Sequence, residues 1–255
     1  MRVISIANFK GGVGKTTTAV NLAAELATDG FETLLIDADP QHNTTDFYLK
    51  DADGCVTLTD LLEGYGDPYW PNNVTPTFRS HLSILPADMG LLRLDLISIR
   101  NGAGRGPQRL ADFLRVLEDD SAFDYVIADC PPGFTAASVA LLCESDDVIL
   151  PTLPDAFSRA GAMELMDQLR EIRREAALLR CHVLATMKER TRLSRQGLEL
   201  MRASSLPVME TAIRRSVSVG ESSYARQPLM DYAPGCSAAK DYRALAAEVE
   251  AWDRR

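Results

Sequence analysis

Residues 10–18, Lys10-Gly11-Gly12-Val13-Gly14-Lys15-Thr16-Thr17-Thr18, carry the strongest signal in this 255-residue chain. They follow an apolar run at 3–7 that predicts a buried strand, and they open a segment at 16–28 whose apolar residues recur at helical spacing. Glycines let the main chain turn tightly, so that successive N–H groups point at one anion, and the helix N-terminus adds partial positive charge. Strand, glycine-rich turn and helix in this order predict a phosphate-binding loop.

The sequence predicts different roles for the two lysines of the loop. Lys15 is placed to reach the outer phosphates, and the Thr16 hydroxyl is placed to ligate Mg²⁺. The predicted nucleotide-binding residues of the loop are Lys10, Gly11, Gly12, Val13, Gly14, Lys15, Thr16 and Thr17. An ordinary loop of this kind has a glycine where this chain has Phe9, and it has no need of Lys10. Spacing alone would make Lys10 a solvated surface lysine.

Aspartates follow two of the predicted strands. The strand at 33–36 runs into Asp37-Ala38-Asp39-Pro40-Gln41, and the strand at 125–129 ends in Asp129. Carboxylates just past the carboxyl ends of parallel strands lie where open α/β sheets bind ligands. We therefore expect Asp37, Asp39 and Asp129 to support Mg²⁺, with Asp39 orienting water or a metal-bound water. Any one of them alone would be explained equally well as a turn residue.

Further apolar runs complete the predicted framework. Strands are expected at 82–86, 147–152 and 183–187, and a long helix at 163–179. No internal repeat or linker divides the chain. We therefore expect a single domain over residues 1–255, of α/β class, doubly wound, with a mainly parallel sheet and helices on both faces.

Charge is unevenly distributed along the chain. The formal net charge is −9, but residues 159–226 carry 13 Lys and Arg against 8 Asp and Glu. That segment is therefore +5 and the remainder −14. A basic region on an acidic protein indicates an anionic partner at one place. The balance as a whole argues against a nucleic-acid protein that is basic throughout.

The cysteines and the hydropathy indicate a reduced, cytoplasmic protein. None of the five cysteines forms a Cys-x-x-Cys pair, so metal or iron–sulfur binding has no support. No signal peptide is evident, and no apolar run approaches the length of a membrane span. The helix expected at 238–252 has mixed charges and lacks the basic amphipathic character of a membrane-surface helix. We expect no membrane partner.

The loop and the aspartates together resemble the ParA/MinD family of ATPases, P-loop NTPases with a deviant Walker A motif Lys-Gly-Gly-x-Gly-Lys-Thr. The resemblance implies ATP and Mg²⁺ as ligands and a homodimer formed with ATP, in which Lys10 crosses to the partner's nucleotide. It also implies that Asp39, second in Asp-x-Asp-Pro-Gln, supports hydrolysis, and that Asp129-Cys130-Pro131-Pro132 senses the γ-phosphate. The family usually has a glutamate soon after the proline that ends the 147–152 strand. This chain has Asp155 instead.

Two later segments, 188–195 and 213–217, resemble family segments around the adenine pocket and the DNA-binding arginines. The resemblance places Met187 at the nucleotide. The arginines that it implies for DNA binding are Arg190, Arg192, Arg195, Arg214 and Arg215. The alternative is that these arginines only pair with surface glutamates, namely Glu189, Glu210 and Glu221.

The resemblance covers about residues 3–250 and is closest to the short ParA/Soj-type partition ATPases, because no helix-turn-helix extension precedes the first strand. It implies an ATP-dependent dimer that binds DNA non-specifically, is associated with the nucleoid, and is released when a ParB-like protein stimulates hydrolysis. Two alternatives stay open. One is a ParA-like ATPase that positions a protein cargo, and the other is a metabolic or metal-handling enzyme on the same scaffold.

Overall fold

The central element of the fold is a twisted sheet, seen in a computed structural model that describes residues 1–67, 69–102, 104–172 and 179–252. Within these residues the strands are Arg2–Ile6 (β1), Thr33–Asp37 (β2), Thr75–Pro76 (β3), Leu82–Leu85 (β4), Tyr125–Asp129 (β5), Asp147–Thr152 (β6), Arg180–Lys188 (β7) and Val208–Arg214 (β8). Their order across the sheet is β3-β4-β2-β5-β1-β6-β7-β8. Neighbouring strands are parallel except for β3, which runs antiparallel to β4. The expected mainly parallel sheet is confirmed.

Helices connect the strands. In the described part of the chain they are Lys15–Thr28 (α1), Asn43–Tyr48 (α2), Leu58–Glu63 (α3), Gly90–Asn101 (α4), Gly106–Asp119 (α5), Ala136–Glu144 (α6), Ala156–Ile172 (α7), Arg192–Arg202 (α8), Val217–Ala225 (α9), Leu229–Tyr232 (α10) and Ser237–Glu250 (α11), with a 3₁₀ turn at Trp70–Asn73. The helix expected at 163–179 begins seven residues earlier, at Ala156, and residues 173–178 of that expectation lie outside the described residues.

The sheet is covered on both faces, as its continuously apolar strands require. Side chains alternate along each strand, so Ile4 of β1 packs with helices α1 and α11 on one face. Its neighbour Val3 packs with α5 and α6 on the other face. Val148 of β6 packs against α7 and α8 on that second face. This is the doubly wound α/β arrangement expected from the sequence.

Strand β8 and the two-residue strand β3 were not predicted. Strand β8 is only partly buried, and its Glu210 and Arg214 interrupt the apolar pattern. Helix α11 closes this edge of the sheet: the Glu248 carboxylate accepts the main-chain N–H groups of Glu210 and Thr211 at 2.9 and 2.8 Å. At the opposite edge, β3 contains Pro76, which has no N–H to donate.

A buried ion cluster ties three strands together at their amino ends. Asp147 of β6 is fully buried and accepts a hydrogen bond from Arg2 Nε at 2.8 Å. Arg180 Nη2 lies at 3.0 Å and His182 Nε2 at 2.7 Å from the same carboxylate. Burial opposes the charge on Asp147, but the hydrogen bonds from His182, Arg180 and Arg2 outweigh it and lower the pKa of this carboxyl.

No helix in the described ranges combines the length and the apolar character needed to cross a membrane.

Candidate nucleotide site

The loop between β1 and α1 has the form that an anion needs. Gly12 and Gly14 adopt φ angles of 70° and 92°, in the left-handed region that favours glycine. Gly14 is the N-cap of α1 and brings no capping side chain, so the first N–H groups of the helix face the loop without one. Lys15 is mostly buried, and its Nζ donates to the Lys10 carbonyl at 3.3 Å. Burial lowers the pKa of Lys15, while the charges of Asp129 and Asp39 oppose this shift.

Two neighbouring strands brace this loop. Asn8 Nδ2 donates to the Pro151 carbonyl at 2.7 Å, and Asn8 Oδ1 accepts the N–H of Lys10 at 3.0 Å. The Thr186 hydroxyl of β7 donates to the Val13 carbonyl at 2.8 Å. The loop is therefore held by side chains that follow β1 and lie in β7.

Met187, the next residue of β7, also lies against the loop. Its Cε is 3.9 Å from the position that a Cβ on Gly14 would occupy. Its φ of 51° is unusual for a residue with a side chain, and such conformations concentrate at functional sites. The structure thus brings Met187 next to the predicted phosphate site.

Asp37 and Asp129 are partners in register on the adjacent strands β2 and β5. Both are buried. Asp37 Oδ2 accepts the main-chain N–H and the hydroxyl of Thr45, each at 2.8 Å. Asp129 Oδ2 accepts the Thr44 hydroxyl at 2.7 Å. Two carboxylates thus share one buried space at the carboxyl edge of the sheet.

Burial disfavours the charged forms of both carboxylates, and their hydrogen bonds do not fully offset this cost. It raises the pKa of Asp37 to about 7, and the neighbouring charge of Asp129 adds to the shift. Burial also raises the pKa of Asp129 to about 6, against the hydroxyls of Thr44 and Thr16. Asp129 Oδ1 has no hydrogen-bond partner among the described residues.

A buried, unpartnered oxygen beside a second carboxylate and a threonine hydroxyl is a donor set that suits a hard divalent cation such as Mg²⁺. The residues present therefore fit the predicted metal, with Asp129, Asp37 and Thr16 as the groups that could hold it directly or through water.

Asp39 stands at the solvent side of this cluster. It is partly exposed, and its Oδ1 accepts the N–H of Gln41 at 2.9 Å, as in an Asx turn. Its charge acts on both Lys15 and Asp129. The structure therefore places Asp39 beside the other predicted residues of the site. It also gives Asp39 the hydrogen bond of a turn residue, which was the alternative interpretation.

The ammonium group of Lys10 contacts different residues from the ammonium group of Lys15. Its Nζ donates to the Ser158 hydroxyl at 3.0 Å and lies 3.8 Å from Asp155 Oδ2. Asp155 immediately precedes α7 and accepts the Ser158 N–H at 2.8 Å, which is the contact of an N-cap residue. Aspartate suits an N-cap better than the longer glutamate, which gives the departure at this position a physical reason.

The predicted DNA-binding arginines differ in their exposure and in their contacts. Arg190, Arg192 and Arg195 are exposed, and none forms an ion pair within the described ranges. Arg214 is engaged instead: its Nε and Nη2 bond Asp241 of α11, the shortest contact being 2.6 Å from Nη2. Arg215 is exposed and pairs with Glu189 at 2.9 Å, one of the surface glutamates that the alternative names.

Sequence reasoning missed the supporting residues Asn8, Thr44, Thr45, Thr186 and Asp241. Thr44 and Thr45 carried a weak signal, because polar residues directly after an aspartate turn are suited to bond its carboxylates. Asp241 carried none, because its partner Arg214 lies 27 residues earlier in the chain.

These features define a P-loop nucleotide hydrolase whose loop carries a second lysine. A family model described as an AAA domain matches residues 1–180. The chain is 33% identical to the chromosome partitioning protein ParA of Caulobacter vibrioides, over 100% of this chain and 96% of that one. It is 34% identical to the chromosome-partitioning ATPase Soj of Thermus thermophilus, over 98% and 96%. The chain therefore belongs to the ParA/Soj family of P-loop ATPases, as the motifs indicated.

A solved structure outside the partition proteins is also similar. It is cobyrinic acid a,c-diamide synthase from Mycobacterium smegmatis with bound ADP and magnesium, with a TM-score of 0.81 and 28% identity over 99% of this chain and 95% of that one. The ligands of that enzyme agree with the expectation of an adenine nucleotide and Mg²⁺.

Proposed function

We propose that this ATPase is a partition protein: it dimerises on ATP, binds DNA without sequence preference, and leaves the DNA when a ParB-like partner stimulates hydrolysis. The observation that best supports the proposal is the position of β7, which leads from the phosphate-binding loop to the exposed basic segment. Met187 lies against the phosphate-binding loop, and the exposed basic segment begins three residues later, at Arg190. One short segment thus connects the nucleotide to a surface that suits an anionic polymer.

The chemistry assigned to the nucleotide site is hydrolysis of ATP by in-line attack of water on the γ-phosphorus. The N–H groups of residues 11–17 and the Lys15 ammonium bind the phosphates, and Asp39 orients the water. Thr16, Asp129 and Asp37 would hold Mg²⁺, directly or through water, and the ion would neutralise part of the phosphate charge. The bond between the γ-phosphorus and the leaving oxygen of ADP breaks, and phosphate is released.

Lys10 is assigned to the dimer. Its ammonium is anchored on α7, half-exposed, and outside the contacts of Lys15. From there it stabilises charge on the partner's nucleotide. We expect Lys10→Ala to bind ATP but to lose the ATP-dependent dimer, which light scattering with ATP measures directly.

The DNA surface is assigned to Arg190, Arg192, Arg195 and Arg215, with Arg214 holding β8 to α11 rather than contacting phosphate. The whole chain is acidic, so one copy binds DNA weakly, and a dimer that presents two sets of arginines binds better. Each neutralised phosphate adds about 0.9 to the log–log slope of affinity against salt. Binding should therefore require ATP, ignore sequence and weaken sharply with salt.

The deciding experiment is co-sedimentation with random-sequence DNA in ATP, ADP and no nucleotide, over a salt series. The combined change of Arg190, Arg192 and Arg195 to alanine should weaken binding and flatten the salt slope, with ATP affinity intact. Arg115→Ala is the control, since Arg115 is also an exposed arginine but lies on helix α5, outside the basic segment. Binding that is independent of ATP, or unchanged in the triple variant, would remove DNA from the mechanism and favour a protein cargo.

A further inference from the structure

Helix α8 crosses the turn before α7 at backbone contact distance. A Cβ built on Gly197 would lie 1.9 Å from the Pro154 carbonyl oxygen and 2.7 Å from its carbon. Atoms in real structures do not approach so closely, and the obstacle is main chain, which cannot swing aside as a side chain does. Glycine is therefore the residue that permits this contact.

The turn beneath Gly197 is the one that holds Lys10. Asp155 follows Pro154 directly, and its N–H bonds the Leu153 carbonyl at 2.8 Å. Its carboxylate accepts both the N–H and the hydroxyl of Ser158, each at 2.8 Å. The Ser158 hydroxyl lies 3.0 Å from Lys10 Nζ. A continuous set of contacts thus leads from Gly197 to the Lys10 ammonium.

We propose that Gly197 is a positioning residue for Lys10: by letting α8 rest on the Pro154 carbonyl, it fixes the turn whose Asp155 and Ser158 hold the Lys10 ammonium. A lysine side chain has many rotamers, so holding its ammonium in place removes conformational freedom before the dimer forms. The same helix carries Arg192 and Arg195, so the Lys10 anchor and part of the basic surface belong to one packed unit. The inference rests on the proposed role of Lys10 in the ATP dimer.

The test compares Gly197→Ala with Gly161→Ala. Gly161 is an exposed glycine of α7, and a Cβ there would meet nothing within 4 Å, so this control changes helix propensity without a clash. Gly197→Ala should weaken the ATP-dependent dimer about three- to fivefold, the size expected for one partly exposed charged contact. ATP affinity, read on the protein by calorimetry, should stay within twofold of the wild type. Gly161→Ala should leave both quantities unchanged.

A double-variant cycle separates positioning from a general loss of stability. Asp155→Ala and Ser158→Ala together remove both contacts to Lys10, so adding Gly197→Ala to this pair should cause no further loss of dimer. If Gly197→Ala does not fold, Pro154→Gly loosens the same turn without adding an atom, and it should weaken the dimer in the same direction. An undiminished dimer in the folded variant, or additive losses in the cycle, would overturn the inference. An undiminished dimer in Lys10→Ala would instead overturn the proposed role of Lys10 itself.

Discussion

Replacing Thr186 by valine removes one hydroxyl from β7 while keeping the shape of the side chain. Thr186 is 2% exposed, and the Val13 carbonyl that it bonds belongs to a fully buried residue. Losing the hydrogen bond and placing a methyl group against that carbonyl should cost about 1–3 kcal/mol. For a chain of this size, that corresponds to a fall in melting temperature of roughly 2–12 °C.

Part of this free energy should be lost from ATP binding, because the hydrogen bond between Thr186 and Val13 holds the loop in the conformation that binds phosphate. About 1 kcal/mol of it would weaken ATP binding roughly fivefold. Calorimetry measures the affinity and thermal unfolding the stability. Thr33→Val is the control: Thr33 is fully buried and also bonds a main-chain carbonyl, that of Phe31 at 3.0 Å, but it lies at the far end of β2. It should lose stability without losing ATP affinity. Equal ATP affinities in the two variants would refute the bracing role of Thr186.

Three further changes test the site and the fold. Lys15→Ala should abolish tight ATP binding, because it removes the main charge-assisted contact to the phosphates, and a normal affinity by calorimetry would contradict the loop assignment. Asp39→Ala should bind ATP and dimerise yet hydrolyse little; unchanged phosphate release at saturating ATP and Mg²⁺ would mean that another group orients the water. Asp147→Asn should lose about 1.5–3 kcal/mol at neutral pH, because the buried acceptor that Arg2, Arg180 and His182 share loses its charge. Since the pKa of Asp147 is held below its ordinary 3.8, the advantage of the wild type should be complete above that pH and shrink as the pH falls through the lower value. Urea titrations near pH 7 and pH 3 measure it, and an equal difference at both would show that the charge is not responsible.

The sequence was sufficient where the chemistry is local. A phosphate-binding loop needs particular residues in one continuous stretch, and the two strand-terminal aspartates follow recognisable apolar runs. Parallel strands then bring Asp37 and Asp129 into register without any further information. The doubly wound fold follows from the same runs, because strands that are apolar on both faces need helices on both.

The sequence was insufficient where a contact joins distant segments. Nothing near Arg214 indicates that Asp241, 27 residues later, engages its guanidinium. The link from Thr186 to Val13 spans 173 residues and depends on the order of strands in the sheet. Strand β8 was not predicted because it lies at an edge, where most of its side chains are only partly buried and the polar residues Glu210 and Arg214 interrupt the apolar pattern.

The closure of both sheet edges has a consequence for how this protein behaves when many copies gather in a small volume. A free edge strand offers unpaired N–H and C=O groups on which another chain can add a strand, and such addition leads to fibrils. Here the Glu248 carboxylate accepts two main-chain N–H groups of β8, whose pairing with β7 is irregular, and the opposite edge is two residues long and contains a proline. Many copies gathered in a small volume should therefore crowd together without adding strands to each other's sheets.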